Sequence, residues 1–367
     1  MKKKIVIASV LKPIDDVRAY WKLSQSIAKT NKYEVNIIGN ASKKEPYYEN
    51  IKFYPHSIRG NQWIKRWIVR IKILLKILQI KPTILIITTH ELIYVSLIAK
   101  LISRCKIIYD VQENYYLNLT SIKPNIFKLI YARMVRLKET VSRSFISKYW
   151  LAENCYDKQL PFVKNKNVVV ENKAYDTFIN RKENKRIQVL FTGTISHYGG
   201  IDKAINFYKE LLKSEPDVSL RIVGQVHDPK LKMKLENEAK ELPDLSLHIS
   251  LDPIPHDEIL QAITEASVGI IGYSPNQVNK DKIPTKLYEY SRYRLPYLIE
   301  QDTLWNTVGE TLGGSIPVDF NHISMEKILK MIRNPDRLFK NEYPENATWE
   351  HESSKIITSL NRLTHNN

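Results

Sequence analysis

The chain has 367 residues, of which 43% are apolar, and it contains only 11 glycines and 17 prolines. This length exceeds one ordinary core and suits two domains, and the composition excludes collagen-like and low-complexity chains. The two cysteines, Cys105 and Cys155, lie far apart without C-x-x-C spacing. That spacing argues against a disulfide framework or a zinc site and favours a reducing cytoplasm.

The net charge of +17 comes from the first half of the chain. Residues 1–176 hold 32 Lys and Arg against 13 Asp and Glu, whereas residues 177–367 hold 24 against 26. A field this one-sided favours an anionic partner such as a membrane surface or a polyanion. Nucleic acid is not an expected partner, because the sequence carries no RNP, KH or zinc-finger signature. No window reaches the roughly 18 uncharged apolar residues of a membrane span.

Short β-branched runs alternate with longer amphipathic stretches in the first half. The predicted strands are 4–9, 33–39, 51–54, 83–88, 106–111, 144–147 and 168–170, and the predicted helices are 17–29, 62–79, 92–103 and 125–141. Strands that are apolar throughout and are separated by helices indicate a parallel sheet covered on both faces. The apolar run at residues 5–11 is short and lacks a cleavage site, so it is predicted to be the first strand and not a signal peptide.

A polar stretch at 175–186 interrupts this alternation and is predicted to be a linker. The pattern then resumes with strands at 188–192, 219–223, 246–249, 268–273 and 297–300, and helices at 201–212, 229–241, 256–266, 286–293 and 349–363. The predicted domains are 1–176 and 187–345, followed by a helical segment at 346–367 that is expected to pack back on the first domain. Ligands are expected at the carboxyl ends of the strands, in a cleft between the domains.

The segment FTGTISHYGG at 191–200 lies between a predicted strand and a predicted helix. Its small residues allow backbone amides to approach a phosphate at a helix N-terminus. It lacks a complete G-x-G-x-x-G pattern and a P-loop lysine, so an ordinary strand-to-helix turn explains it equally well.

A second segment, IPTKLYEYSRYRLP at 283–296, opens a helix at Pro284 and Thr285. Lys286 lies in the first turn, where the helix dipole disfavours a cation unless an anion binds there. Glu289 follows on the same face. The ammonium group suits a diphosphate and the carboxylate suits two ribose hydroxyls, although a surface salt bridge would have the same spacing.

Taken together, these segments resemble the group-1, family 4-like glycosyltransferases. The stretch 283–300 is similar to their P-x-K-L-x-E-Y segment, VVVENKA at 168–174 to the strand that ends in Asn (here Asn172), and IIYDVQENY at 107–115 to their Y-D-x-H-E segment. The matches keep the family order over residues 90–300. The resemblance implies an α/β GT-B fold, in which two Rossmann-like domains face each other across a cleft. It also implies retaining transfer from a UDP- or GDP-sugar, with no metal and no further cofactor.

The resemblance also implies roles for residues of the second half. Glu289 would hold the ribose and Lys286 would lie near the donor phosphates. The expected donor site comprises Gly193, Thr194, Gly199, Gly200, Lys282, Thr285, Lys286, Leu287 and Glu289. Thr194 and Gly199 stand where the family usually carries an arginine and a lysine. The alternative is therefore a catalytically weakened GT-B protein that acts as a binding or partner subunit.

Candidate residues of the first half follow predicted strands. The expected catalytic residues are Asp16, His90, Gln112 and Glu113, and the expected acceptor-binding residues are Asp15 and Arg18. Asp16 is either an N-cap for the helix at 17 or a group that orients an acceptor hydroxyl, and Arg18 either is solvated or binds a phosphate. His90 ends one strand and Gln112 and Glu113 end the next, so a shared pocket is expected.

The stretch 59–81 holds seven basic residues and no acidic residue. Its apolar residues form a broad face, with Ile73 and Ile77 on the opposite side. This pattern fits a helix that lies in a membrane interface, and it also fits a helix packed on the sheet. The predicted membrane residues are Trp63, Lys65, Arg66, Trp67 and Arg70, and a second basic segment at 123–148 adds to the surface.

The sequence therefore predicts an enzyme of surface polysaccharide or glycan synthesis. Its expected partners are a nucleotide sugar, a lipid-linked or other saccharide acceptor, and an anionic membrane. The expected location is the cytoplasm, at the inner face of the cell membrane.

Overall fold

A computed structural model of the chain describes residues 2–42, 46–57, 63–121, 124–175, 186–339 and 344–365. The predicted linker lies almost wholly outside these ranges. The chain divides into two compact units: unit 1 is Met1–Asn172 with Trp349–Asn367, and unit 2 is Lys173–Thr348. Each unit is built on one parallel sheet, which confirms the predicted α/β class.

Unit 1 contains a seven-stranded sheet in the order β3-β2-β1-β4-β5-β6-β7. Its strands are β1 (Lys3–Pro13), β2 (Tyr33–Asn40), β3 (Ile51–His56), β4 (Ile84–Ile87), β5 (Lys106–Val111), β6 (Lys148–Leu151) and β7 (Asn167–Val169). Ile7 of β1 pairs with Ile37 of β2 and Ile86 of β4, and all three side chains are buried. The strand order reverses between β1 and β4, so the carboxyl ends of these two strands form the switch point at which such sheets bind ligands.

The helices of unit 1 cover this sheet. They are a π-helical segment (Val17–Ser24) continued by α1 (Gln25–Lys29), then α2 (Trp63–Ile80), α3 (Ile93–Ser103), α4 (Tyr115–Ser121), α5 (Ile126–Ser142) and α6 (Tyr156–Gln159). Short 3₁₀ turns occupy His90–Leu92 and Pro161–Val163. Helix α2 contributes Val69, Ile73, Ile77 and Ile80 to the core, so its other apolar face does not pack on the sheet.

Unit 2 contains a six-stranded sheet in the order β10-β9-β8-β11-β12-β13. Its elements are β8 (Ile187–Ile195), α7 (Ile201–Ser214), β9 (Val218–Val226), α8 (Pro229–Glu241), β10 (Leu245–Ser250), α9 (His256–Glu265), β11 (Val268–Ile271), α10 (Thr285–Arg292), β12 (Tyr297–Glu300), α11 (Leu304–Leu312), β13 (Ser315–Val318) and α12 (Met325–Ile332). The order reverses between β8 and β11, which repeats the arrangement of unit 1. The amino end of α10 follows the loop that leaves β11.

The last helix, α13 (Trp349–His365), packs on unit 1. Its own residues Ile356 and Leu360 are fully buried. Trp349 donates from Nε1 to Ser26 Oγ over 2.8 Å, and Trp150 donates from Nε1 to Ser359 Oγ over 3.1 Å. The chain therefore returns to unit 1 after it completes unit 2.

Two predicted elements differ from the observed ones, and several observed elements, among them β13, α4, α11 and α12, were not predicted. The strand predicted at 144–147 is wrong, because the sheet instead uses Lys148–Leu151 as β6. The unpredicted strand β13 lies at the edge of the sheet and, among the described residues, pairs with β12 alone. The edge tolerates its exposed Pro317, which cannot donate to a ladder. The helix predicted at 17–29 begins with π-helical turns, in which Ser24 Oγ donates to the carbonyl of Ala19 over 2.6 Å.

Candidate functional site

Four glycines bring three strand ends of unit 2 into close contact. Gly200 precedes α7 with φ +88°, and a Cβ built on it would lie 2.1 Å from the carbonyl oxygen of Gly272. Gly224 of β9 approaches Gly193 of β8 in the same way: a Cβ built on Gly224 would lie 1.9 Å from the carbonyl oxygen of Gly193. Only glycine permits these backbone approaches. The ends of β8, β9 and β11 are therefore held together at the switch point.

Lys286 is buried directly beneath the end of β8. Its Nζ donates to the carbonyl of Thr192 over 2.7 Å and lies 4.6 Å from the ring centre of Phe191 and 4.9 Å from that of Tyr273. Burial lowers the pKa of Lys286 to about 8, and the nearby Glu289 carboxylate opposes this shift. Among the described residues Lys286 has no ion-pair partner, so a positive charge is held here by a carbonyl dipole and two aromatic faces.

Glu289 lies one turn along α10 from Lys286 and is also buried. Its Oε1 is 3.5 Å from Nε2 of His256, the first residue of α9. Two helices thus bring a carboxylate and an imidazole together beside the end of β8. An anionic ligand with hydroxyl groups would find a cation and a carboxylate in this part of unit 2.

The other expected donor residues occupy different surroundings. Thr194 is exposed, and the amide of Gly199 donates to Ser196 Oγ over 2.9 Å inside the turn before α7. Thr285 is the first residue of α10, and the carbonyl of Lys282 accepts from Trp305 Nε1 over 2.6 Å. Leu287 is fully buried in the apolar core, where its side chain contributes packing.

Candidate residues that follow β1 form a polar network with residues at the end of β5, in which Arg18 Nη1 alone is buried without a partner among the described residues. Arg18 donates through Nε and Nη2 to both oxygens of Asp110, over 2.7–3.1 Å, and both side chains are buried. Gln112 Nε2 donates to Asp110 Oδ2 over 2.6 Å and its Oε1 accepts from Lys12. Asp16 accepts from the amides of Arg18 and Ala19, which makes it the N-cap of the π-helical segment. Arg18 is therefore paired and not solvated.

His90 is buried among aromatic and cationic side chains. Its ring lies 4.4 Å from Tyr115, edge to face, and Nδ1 lies 2.9 Å from Nζ of Lys138. Burial together with Lys138, Arg70 and Arg66 lowers the pKa of His90 to about 3, so the imidazole is neutral at physiological pH. A neutral ring accepts the hydrogen bond that the Lys138 ammonium offers.

Two further candidate residues, Glu113 and Asp15, are neighbours in the sequence of Gln112 and Asp16 and are less buried than Arg18 and Asp110. Glu113 accepts from Asn118 Nδ2 of α4 over 2.9 Å. Its neighbour Gln112 bonds instead to Asp110, so these two expected residues belong to different hydrogen-bonded groups. Asp15 is half-buried, and burial raises its pKa.

The predicted membrane residues divide into two groups. Lys65 and Trp67 are exposed on α2, whereas Arg66 and Arg70 approach the Glu91 carboxylate at 3.6 and 3.3 Å. Trp63 begins α2, and its side chain lies outside the described part of the structure. Across the described ranges, none of the helices has the length and apolarity needed to cross a membrane. Nor do those ranges hold a group of three or more His, Cys, Asp or Glu side chains that could hold a metal ion.

Several residues of these sites were missed from the sequence. Asp110 lies in the segment IIYDVQENY among buried residues of β5. Nothing in that segment indicates that Asp110 pairs with Arg18, 92 positions away. His256 follows a proline at a helix start and carries no local signature. Gly224 is an isolated glycine within β9 and Gly272 directly follows β11; an isolated glycine in a strand pattern does signal close backbone approach.

Comparison with known proteins defines the fold. No family model and no curated relative matches the sequence. Sucrose-phosphate synthase from Thermosynechococcus elongatus has a similar structure, with a TM-score of 0.71, 10% identity, and all of both chains covered. Anabaena HepE in complex with UDP and glucose has a TM-score of 0.64 at 10% identity, covering 98% of this chain and 99% of its own. A putative UDP-N-acetylglucosamine 2-epimerase from Listeria monocytogenes has a TM-score of 0.63 at 11% identity, covering 100% of this chain and 98% of its own. Over its whole length, the chain has the GT-B fold.

Proposed function

We propose that the protein transfers a sugar from a nucleotide-sugar donor to a saccharide acceptor held at the cytoplasmic face of a membrane, in surface polysaccharide or glycan synthesis. The observation that carries this proposal is the placement of Lys286 and Glu289 on one face of α10, beside the glycine-lined end of β8. The donor is a UDP- or GDP-sugar, and transfer is retaining and independent of metal.

The chemistry of unit 2 supports a donor with a diphosphate. Departure of a nucleoside diphosphate leaves negative charge on its outer phosphate, and a fixed cation stabilises that charge most in the transition state. Lys286 is such a cation, because Phe191, Tyr273 and the Thr192 carbonyl fix its position. Glu289 is suited to accept from ribose hydroxyls. The first turn of α7, which begins at Ile201, can offer backbone amides to a phosphate.

The surface of unit 1 supports an acceptor at a membrane. Helices α2, α3 and α5 each expose a row of large apolar side chains: Ile64, Trp67, Ile68, Ile71 and Leu75; Tyr94, Ile98, Leu101 and Ile102; and Ile126, Phe127, Ile130, Met134, Leu137 and Val141. Phe127 is 80% exposed and Leu101 is 76% exposed. Soluble monomers seldom expose so many apolar side chains on neighbouring helices.

Charge favours an anionic bilayer as the occupant of this surface. Exposed cations Lys65, Lys72, Arg133 and Arg143 stand among the apolar rows. A second copy of the chain would bring like charges together across such an interface, whereas anionic lipids complement them at about 1 kcal/mol per basic residue. Apolar side chains would then enter the headgroup boundary.

The donor assignment is tested with Glu289→Ala, and Glu310→Ala on the exposed face of α11 is the matched control. Binding of UDP, GDP and their sugars is followed by calorimetry. Loss of a charged hydrogen-bond partner should weaken nucleotide binding by roughly 1.5–3 kcal/mol in the folded variant, with the control unchanged. Unchanged affinity in folded Glu289→Ala would remove the assignment.

The reaction type is tested by product analysis. Wild type is incubated with each nucleotide sugar, with and without membrane extract as acceptor. We expect release of nucleoside diphosphate that depends on the acceptor fraction. Conversion of the sugar without any acceptor would instead indicate an epimerase, and binding without turnover would favour the catalytically weakened alternative.

A further inference from the structure

A cluster of three cations lies where α2 and α5 meet the turn after β4. Arg66 and Arg70, one helical turn apart on α2, both approach Glu91. Lys138 of α5 contacts His90, the neighbour of Glu91 in the chain. Arg66 and Arg70 are half-buried, and Glu91 is largely buried. The two helices thus direct three cationic side chains at one short turn at the carboxyl end of β4.

The cluster carries more positive than negative charge. Glu91 supplies one carboxylate for two guanidinium groups and an ammonium, and His90 is neutral because its pKa is lowered to about 3. Glu139 follows Lys138 on α5 and hydrogen-bonds Tyr109, and burial raises its pKa to about 7. Burial lowers the pKa of Lys138 to about 8, so at pH 7 the two arginines and Lys138 together still carry more charge than Glu91 offsets, which favours a bound anion.

The guanidinium groups also retain unused donors. The Nε atoms of Arg66 and Arg70 are buried and have no hydrogen-bond acceptor among the described residues, and Glu91 Oε2 is buried there without a hydrogen-bond donor. A buried donor without an acceptor costs free energy, and a bound oxyanion would supply one. Phosphate suits this arrangement, because guanidinium groups bind its oxygens in pairs.

Apolar and aromatic side chains border the cluster. Trp67 lies against the Arg70 guanidinium, 4.5 Å from its carbon to the ring centre, and Tyr94 lies 5.6 Å from Lys138 Nζ. Tyr131 lies on α5, with its ring 6.2 Å from that of His90. All three aromatic side chains are at least 45% exposed, on the same three helices as the apolar rows described above. A ligand that contacts the cations therefore also meets an apolar surface.

We propose that Arg66, Arg70 and Lys138 bind the phosphate of an amphiphile whose apolar chain lies along the exposed faces of α2 and α5. The acceptor is then a saccharide linked to a lipid phosphate or diphosphate. This inference rests on the proposed function and specifies its acceptor. A soluble sugar phosphate offers the same headgroup chemistry, but it would leave the aromatic border without a partner.

Three water-soluble probes separate these sources in calorimetry below their micellar concentrations. Dihexanoylphosphatidic acid carries a phosphate and short chains, dihexanoylphosphatidylcholine carries the same chains with a zwitterionic headgroup, and glycerol 3-phosphate carries the phosphate alone. We expect phosphatidic acid to bind at least about 10-fold more tightly than either of the others, since only it engages both surfaces. Equal affinity for glycerol 3-phosphate would overturn the amphiphile. Equal affinity for phosphatidylcholine, whose phosphate is a diester offset by choline, would overturn recognition of an anionic phosphate headgroup.

The residues are tested with Arg66→Gln/Arg70→Gln and, separately, Lys138→Met. Lys327→Gln/Lys330→Gln on α12 of unit 2 removes the same two charges and is the matched control. Loss of charged hydrogen bonds should weaken phosphatidic acid binding about 10- to 100-fold in the first variant, with the control within about 3-fold of wild type. Unchanged affinity in Arg66→Gln/Arg70→Gln and in Lys138→Met would overturn the site.

UDP binding distinguishes this site from the donor site. Folded unit 1 variants should bind UDP or GDP as wild type does, because Lys286 and Glu289 are intact. If nucleotides fail to bind wild type while phosphatidic acid binds through the arginines, the donor proposal fails and the phosphate site stands. If Arg66→Gln/Arg70→Gln does not fold, Lys138→Met alone decides, and circular dichroism establishes which case applies.

Discussion

The two units share one pattern of strand order but differ in the apolar side chains that they expose and in their charge. Both sheets reverse beside their first strand, between β1 and β4 in unit 1 and between β8 and β11 in unit 2. Among the described residues, unit 1 exposes 19 large apolar side chains and unit 2 exposes four. The excess positive charge also belongs to the first half. A common topology therefore supports two different surfaces, and function is to be sought in the surfaces.

The buried cations of the two units differ in the same way. Arg18 of unit 1 is paired through two hydrogen-bonded nitrogens with the buried Asp110. Lys286 of unit 2 has only a carbonyl and aromatic rings, among the residues that the structure describes. In the first arrangement a buried carboxylate neutralises the guanidinium charge, although Arg18 Nη1 is buried without an acceptor among the described residues, whereas the second leaves a charge for an incoming anion. We therefore expect Arg18 to act on stability and Lys286 to act on the reaction.

The largest effect is expected from Arg18→Met. Removal of the guanidinium leaves Asp110 buried and unpaired, which should lower the free energy of unfolding by roughly 3–5 kcal/mol. Arg186→Met, which breaks exposed pairs with Asp217 and Asp244, is the control and should lower the free energy of unfolding far less, because water screens exposed pairs. Urea unfolding measures both. Similar losses in the two variants would mean that the Arg18–Asp110 pair is no more structural than a surface pair.

Lys286→Ala should reduce kcat by roughly 10²–10³-fold, as expected for loss of one donor to the developing charge. Lys286→Arg keeps the charge and should lose less. The free-enzyme pKa of about 8 means that the ammonium loses its proton as pH rises through 8, so kcat/KM of wild type should fall there. The arginine variant should show no such fall. Rates are measured at pH 7–9 for wild type, both variants and Lys280→Ala, an exposed lysine that serves as the control. Equal rates for wild type and both Lys286 variants would show that Lys286 takes no part in the reaction.

A smaller effect separates two glycines of unit 2. Gly193 and Gly200 both have φ near +90°, but a Cβ on Gly193 has its nearest neighbour at 3.6 Å, whereas one on Gly200 overlaps the Gly272 carbonyl. Gly193→Ala should cost about 1–2 kcal/mol through its backbone conformation alone, and Gly200→Ala about 1–3 kcal/mol more. Thermal unfolding compares them. Equal costs would show that the contact between the β8 and β11 loops is not tight.

The smallest effect concerns the membrane surface. Lys65→Glu/Lys72→Glu should weaken binding to anionic vesicles by about 1 kcal/mol or more per residue, and high salt should release wild type only in part because apolar insertion is not screened. Sedimentation with phosphatidylglycerol and phosphatidylcholine vesicles measures both effects. If wild type binds neither kind of vesicle at low salt, the membrane model is wrong and a soluble acceptor is the better hypothesis.

Much of the architecture could be predicted from the sequence, because long apolar strands and amphipathic helices have strong periodicity. Strand β6 was misplaced since Ser144–Ser147 and Lys148–Leu151 are equally short, and only pairing with β5 selects the second. The Lys286–Glu289 face was predictable, because three-residue spacing on a helix fixes it. The Arg18–Asp110 pair and the Glu91 contacts were not, because they join residues far apart in the sequence whose meeting depends on how the chain packs.

One sedimentation experiment tests the central claim that unit 2 binds the nucleotide and unit 1 binds the membrane. Wild type, Glu289→Ala and Phe127→Asp/Leu101→Asp are pelleted with anionic vesicles in the presence of labelled UDP or GDP, and protein and label are counted in the same pellet, with label binding also measured without vesicles. We predict that Glu289→Ala pellets without label and that the unit 1 variant stays in solution but binds label. Loss of vesicle binding in folded Glu289→Ala, or loss of nucleotide binding in the folded unit 1 variant, would contradict this division of roles.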